Sequence, residues 1–356
     1  MPGRVVEGVV KRALVIGGTG FVGLNLVDAL LAGGWEVRVP VRRHSITLFL
    51  RSREVERVRV DFDEPDQLRG AMRGQDAVFM AAGHYPRYSL DPAREIARGV
   101  EQTRAVANAA LRADVPGLVY TSSTGSLAHV EGRAVDEGDV PPRRPEGSTY
   151  RAVKWAMERE VERFVGRGLR VVTMIPSGCV GPWDARVGTG RLIVGVVRGE
   201  LPFWVDGTVD LVDVADVARA HVEAARMGAA GARYCLGGHA VRVSDLLTTV
   251  RARYGGALPE PIPLAEARER ADREEREAAT RRGRVAVPRE LVDLVEHGQP
   301  VSSAAAARDL GFVARPLEAS LDRAHAWFES QGYLRTPKGR DACSRPPMDA
   351  APARSS

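Results

Sequence analysis

The sequence predicts an α/β protein: a doubly wound parallel sheet with helices on both faces, followed by a smaller carboxy-terminal lobe. Three observations carry this. Between Arg12 and Pro176, short β-branched runs alternate with amphipathic helical stretches. A glycine-rich turn, GGTGFVG, joins the first run to the first helix. Beyond Pro176 the alternation loosens into loops and isolated helices.

The elements follow in order. ALVIGG reads as the first strand, and FVGLNLVDALLAGG as a helix whose Phe21, Leu24, Val27, Leu30 and Leu31 share one face. EVRVPV and VERVRVDF are the second and third strands, and DAVFMAAG is the fourth, after a PDQLRGAMRG helix. A helix in ARGVEQTRAVANAALRAD, a fifth strand GLVYTSS, a long helix TYRAVKWAMEREVERFVGRG and a sixth strand LRVVTMIPS complete the first unit. This gives a dinucleotide-binding domain over 11–176, with 211–236 expected to return to it through the helix from Val214 and the ARYCLGG strand. Residues 177–210 and 237–334 are expected to form the lobe, with a helix near Leu192 to Arg198. The AEARERADREEREAATRRGR stretch from Glu266 reads as a solvated helix, with a partner-binding helix as the alternative. Residues 335–356, rich in Pro, Arg, Ser and Ala, read as a disordered tail.

Composition sets the outer limits. The chain has 356 residues, 44% of them hydrophobic, enough to bury a core without staples. Its three cysteines, Cys179, Cys235 and Cys343, show no metal-ligand spacing, which suits a reducing, cytoplasmic setting and no metal. His129, His221 and His239 also lack such spacing and read as structural. No run approaches the roughly 18 apolar residues of a membrane span. The net charge of +5 comes from arginines interleaved with acids along the whole chain, so neither nucleic acid nor membrane is an expected partner. A homodimer is compatible with the sequence. Only three of the 51 basic residues are lysine (Lys11, Lys154 and Lys338), so a lysine here draws attention to its own chemistry.

The chemistry begins at Gly17, Gly18, Gly20 and Gly23. Between a strand and a helix, such glycines allow a tight turn, close approach of a pyrophosphate, and close helix–strand packing. The amino terminus of the helix, at Phe21 and Val22, then offers unpaired N–H groups to the phosphates. This is the Rossmann arrangement, and Ala81 and Ala82 at the end of the fourth strand are expected beside the same cofactor. An acid ending the second strand would hold the ribose hydroxyls of NAD(H), whereas a basic side chain accommodates a 2′-phosphate. The strand ends in PVRRH, so Arg42 and Arg43 favour NADP(H), with NAD(H) as the alternative. Asp61, at the end of the third strand, is either an adenine contact or a turn residue.

Tyr150 and Lys154 stand four apart on a predicted helix and share a face. With seven tyrosines and three lysines, chance supplies about 0.06 such pairs. A phenol of pKa near 10 trades protons at neutral pH only if a nearby cation stabilises its anion, the role expected of Lys154. Hydroxyls at the end of the fifth strand can hold a substrate oxygen; Ser123 is the first candidate and Ser122 the second. His84, Tyr85, Tyr88, Trp183, Arg191, Phe203 and Trp204 are candidate pocket residues, each of which could instead be ordinary packing.

GGTGFVG, LVYTSS, TYRAVK and IPSGCVGP, in this order and at these separations, resemble the extended short-chain dehydrogenase/reductase superfamily. Within it the chain is similar to the dihydroflavonol-4-reductase-like branch and to hopanoid-associated sugar epimerases. That likeness lies in GTGRLIVGVVRGELPFWVDGTVDLVDVADVARAH, ARYCLGG and FESQGYL, and overall it spans roughly residues 12 to 334. It implies Ser123, Tyr150 and Lys154 as catalytic residues, Gly17, Gly20 and Gly23 at the pyrophosphate, and Arg42 at the 2′-phosphate. Pro176 and Ser177 would lie beside the nicotinamide. Two features depart from the pattern: Gly99 stands where relatives carry an asparagine, and the charged segment after Glu266 is usually more apolar. The implied activity is hydride transfer between NADPH and the carbonyl of a small molecule. The alternatives are a sugar or nucleotide-sugar epimerase and a nucleotide-sensing protein without turnover.

Overall fold

The computed structural model describes residues 11–335, apart from 63, 87, 88, 90, 282–284 and 286–288. The candidate Tyr88 and the expected tail from residue 336 onward lie outside the described residues.

β1 (Arg12–Ile16) is apolar on both faces beyond its first residue, as a central parallel strand must be. It pairs in parallel with β2 (Glu36–Val41) on one side and β4 (Ala77–Met80) on the other. β3 (Val55–Arg59) lies outside β2, while β5 (Leu118–Thr121), β6 (Val171–Pro176) and β9 (Arg233–Leu236) continue beyond β4. The resulting order, 3-2-1-4-5-6-9, reverses direction between β1 and β4, where a doubly wound sheet opens its ligand crevice. α1 (Phe21–Ala32) and α6 (Val214–Met227) cover one face, sharing a core with Val15, Phe79, Val119 and Met174. α3 (Pro92–Arg112) and α4 (Thr149–Val165) cover the other, with α2 (Pro65–Met72).

A smaller sheet rises over the carboxyl ends of these strands. β8 (Thr208–Asp213) pairs in parallel with β7 (Gly178–Val180) and antiparallel with β10 (His239–Arg242). Its apolar face packs on α5 (Arg191–Arg198), α7 (Val243–Tyr254) and α11 (Leu317–Ser330). α10 (Ala304–Leu310), within the span expected to form the lobe, instead places Ala306 and Leu310 in the core shared by α1 and α6.

α8 (Leu264–Arg281) corrects the solvated-helix expectation. Ala267, Ala271 and Ala278 form a buried stripe, and the first two share a cluster with Phe203, Val205 and Val292 of α9 (Arg289–Glu296). The charges line the other faces, where Arg268 pairs with Glu296, and Arg289 with Asp272 and Asp293.

Two ties join α1 to the turn after β7. The Asn25 amide donates to the Pro182 carbonyl at 3.0 Å. Arg53 forms a two-pronged pair with Asp28, at 2.6 and 2.7 Å, and its guanidinium lies 4.4 Å from the Trp183 ring centroid. Among the described residues no helix is long and apolar enough to cross a membrane.

Candidate active site

The turn between β1 and α1 is compressed on every side. Gly17 adopts φ +86°, and a Cβ there would lie 2.6 Å from the Ala82 nitrogen. A Cβ on Gly23 would lie 2.0 Å from the Gly17 carbonyl oxygen, so α1 can approach the turn this closely only with glycine at that position. Gly20 caps α1 in extended conformation, and its N–H donates to Gly17 O at 2.8 Å. Its own Cβ would meet only that oxygen, at 3.3 Å, so no side chain from the cap covers the positive end of α1. This backbone cradle fits a pyrophosphate. Ala81 follows directly, its N–H bonded to Ile16 O at 2.9 Å. At the end of β2, Arg42 and Arg43 are exposed, and the Arg42 guanidinium rests 4.7 Å above the Phe62 ring. Asp61 is exposed, and its N–H donates to the Gln67 side chain at 3.0 Å.

Across the crevice, Ser148 caps α4 and sets Tyr150 in its first turn. The Tyr150 hydroxyl donates to Ser123 Oγ at 2.9 Å, and Ser123 Oγ also accepts from the Gly125 N–H at 3.2 Å. A Cβ on Gly125 would lie 2.9 Å from Tyr150 Cε1, so the ring rests directly on this loop. Lys154, one turn along, is buried, with Nζ 5.9 Å from the Tyr150 ring centroid. Gly83, after β4, lies against that ammonium; a Cβ there would be 3.3 Å from Nζ.

Burial dominates the electrostatics. It pushes the Tyr150 phenol up to about 12 despite the opposing hydrogen bond with Ser123. It brings Lys154 down to about 8, against the attraction of Glu158. The sequence led us to expect a phenol made acidic by the Lys154 ammonium together with the charge of the cofactor; in the protein alone, burial is the largest influence and raises it.

The sequence profile of the NAD dependent epimerase/dehydratase family matches residues 13–237. The chain belongs to that family. It is 31% identical over 330 residues to the sterol demethylase protein B of Methylococcus capsulatus, covering 90% of this chain and 99% of that one. It is 27% identical over 263 residues to the dihydroflavonol 4-reductase of Zea mays, covering 68% and 74%. Among solved structures it is similar to PA4631, a nucleoside-diphosphate-sugar epimerase from Pseudomonas aeruginosa, with a TM-score of 0.78, 28% identity and coverage of 92% and 100%. This epimerase/dehydratase member is therefore an NAD(P)-dependent enzyme of the oxidoreductase or epimerase kind, acting on small molecules.

The remaining candidates of this family member divide into two groups. Near the chemistry, Tyr85 is half exposed and packs edge-on against Tyr150, with centroids 5.1 Å apart. His84, beside it, is bonded to Glu95 of α3. Pro176 ends β6, and the buried Ser177 donates its N–H to Leu236 O at 3.1 Å.

Others lie elsewhere. Ser122 is turned away from the substrate side: it is buried, and its hydroxyl donates to Glu158, because adjacent residues of an extended segment face opposite ways. Trp183 packs against Phe49 and Trp327, at 5.4 and 5.8 Å, in the aromatic core of the lobe. Arg191 begins α5 and is partly buried. Phe203 is in the α8–α9 core, and Trp204 donates its indole N–H to Pro259 O at 2.8 Å. Gly99, the departure noted in the sequence, faces α4, where a Cβ would sit 3.0 Å from Val153 Cγ1, so the two helices pack closely at this glycine. His221 is buried between Thr121 Oγ1, at 2.9 Å, and Val217 O, at 2.8 Å, and burial lowers it to about 4, so it is neutral.

Sequence reasoning missed two residues. Cys179, on β7, has its thiol pushed up to about 12 by burial and so stays protonated. Glu158 stands four residues beyond Lys154, and that spacing was the available signal.

Proposed function

We propose that this family member is an NADP(H)-dependent reductase of a small-molecule carbonyl, oxidising the corresponding alcohol in reverse. The observation that carries the reading is the 2.9 Å hydrogen bond from Tyr150 to Ser123, beside a buried lysine and across from an open backbone cradle. When bound, the nicotinamide supplies or accepts the hydride. Ser123 and Tyr150 hold the carbonyl oxygen between their hydroxyls, replacing their mutual bond, and Tyr150 gives its proton to that oxygen as the C–H bond forms. A phenol at about 12 suits this direction: it is a proton donor at pH 7 and is still a stronger acid than an alcohol. Working as a base at pH 7 would first cost about 7 kcal/mol for ionisation. Lys154, at about 8, is cationic in roughly nine molecules of ten at pH 7 and stabilises the phenolate left behind.

Arg42 and Arg43, exposed at the end of β2, support a preference for the 2′-phosphorylated cofactor. The cysteines at 179 and 235, both free, suit a cytoplasmic enzyme.

Likeness to the Pseudomonas aeruginosa epimerase favours a second reading, transient oxidation and return of hydride to a sugar. Against it, Pro176, Ser177 and Val180 occupy the place of the polar turn typical of nucleotide-sugar enzymes. A panel of carbonyl compounds and nucleotide sugars, followed at the nicotinamide absorbance band, separates the two. A reductase consumes one NADPH per product and loses its cofactor on dialysis. Retained oxidised cofactor, with epimers interconverting at constant absorbance, would establish the second reading.

A further inference from the structure

Tyr150, Lys154 and Glu158 recur every four residues along one face of α4, and the third has no part in the chemistry described so far. Glu158 is 1% exposed, yet its carboxylate is fully engaged. One oxygen accepts from Ser122 Oγ and, at 2.8 Å, from Ser126 Oγ; the other accepts from the Arg233 guanidinium at 2.5 Å. Ser122 and Ser126 bracket Ser123, and Arg233 belongs to β9, at the edge of the main sheet.

We infer that Glu158 is a positioning residue of the reaction, clamping the loop that carries Ser123 onto the helix that carries Tyr150 and Lys154. The inference rests on the Ser–Tyr–Lys reading given above. Apolar side chains of similar volume would join helix to strand equally well. What a carboxylate adds is two simultaneous serine bonds that fix the register of residues 122–126, and a negative charge one turn from the ammonium of Lys154. That charge opposes the burial that drives Lys154 toward neutrality. The other groups facing it are Tyr120 on β5, Arg159 and Glu162 on α4, and Arg233 and Cys235 on β9. Of these cations Arg233 bonds the carboxylate at 2.5 Å and Arg159 stands 3.8 Å away, and Glu158 still favours the charged form of Lys154.

With only three lysines in the chain, full-length protein labelled with [13Cε]lysine reports Lys154 directly, without substrate. Glu158→Gln keeps the size and most of the hydrogen bonding but removes the charge. Its Lys154 resonance should titrate about one unit lower than in the wild type, a tenfold change in proton affinity. The basic limb of kcat/KM should move acidward by the same amount. Ser126→Ala removes the hydroxyl's bonds to Glu158 and to the Ser123 carbonyl oxygen, each at 2.8 Å, and no charge; it should lower kcat while leaving the Lys154 titration in place. Should Glu158→Gln not fold, Glu158→Asp withdraws the carboxylate by one methylene and should shift the titration the same way by a smaller step. An unmoved Lys154 titration in the folded charge variant, or full kcat in Ser126→Ala, overturns the inference. A protein found to epimerise rather than reduce would leave the titration result standing, so the two failures are distinguishable.

Discussion

Gly23→Ala tests the cofactor cradle most directly. The added Cβ would sit 2.0 Å from the Gly17 oxygen, 2.6 Å from the Gly17 carbonyl carbon and 2.9 Å from Gly18 Cα, all backbone atoms. Ordinary contact needs about 3.5 Å, so either α1 retreats by roughly 1 Å or more, or the Gly17 peptide turns away. Overpacking of this kind costs about 1–3 kcal/mol, and alanine in a helix returns about 1 kcal/mol, so stability should fall by at most about 2 kcal/mol. Binding should suffer more. Misaligning two N–H groups that face a charged phosphate loses about 1.5–3 kcal/mol each, or roughly 10²–10⁴-fold in NADPH affinity. Calorimetric titration gives the affinity, and a thermal melt gives the stability. Gly70→Ala in α2 is the control: its Cβ meets nothing within 4 Å, so the melt should hold or rise with binding unchanged. A Gly23→Ala protein that melts cooperatively and binds NADPH within about threefold of wild type would refute the cradle.

Three further outcomes are expected. Tyr150→Phe should lower kcat by at least about 100-fold while leaving the NADPH dissociation constant within about twofold, measured by stopped assay and titration. NADPH should bind at least about tenfold more tightly than NADH, and Arg42→Asp should narrow or invert that ratio, because a carboxylate repels the 2′-phosphate and accepts ribose hydroxyls. The reduction rate should fall as pH rises through about 8, where Lys154 loses its proton, with no contribution from a phenol held near 12. Lys154→Arg should remove that limb from the pH profile and still be slow, since a planar guanidinium does not replace a compact ammonium.

The sheet was legible because its signals are local. EVRVPV alternates over the span that becomes β2, and the glycines of GGTGFVG sit between an apolar run and an amphipathic one. Tyr150 and Lys154 were legible through helical spacing, and the same spacing would have led to Glu158 had the face been followed one turn further. Ser122 and Ser123 could have been separated by the two-residue period of extended chain. The buried stripe of α8 was harder to read. Its apolar residues are alanines among charges, and their partners, Phe203, Val205 and Val292, lie far away in the chain, so no local pattern announces the contact. Trp183 poses the same difficulty: a large aromatic beside a predicted cleft suits a pocket wall as well as it suits the packing with Phe49 and Trp327 that it adopts.

The ties from α1 to the turn after β7 bear on how a substrate enters. Asn25 and Asp28 lie on the helix whose first turn forms the cradle, and they grip the lobe through Pro182 and through Arg53 stacked on Trp183. A hinge that swung the whole lobe away would have to break the Asn25–Pro182 hydrogen bond and lift Trp183 off the guanidinium that Asp28 holds in place. The chain that touches Tyr150 lies apart from these ties, at Tyr85 after β4 and at Gly125 in the loop that runs from Thr124 toward Ser148. In such a molecule, exchanging those two loops would change which substrates reach Tyr150 without loosening the grip on the nucleotide.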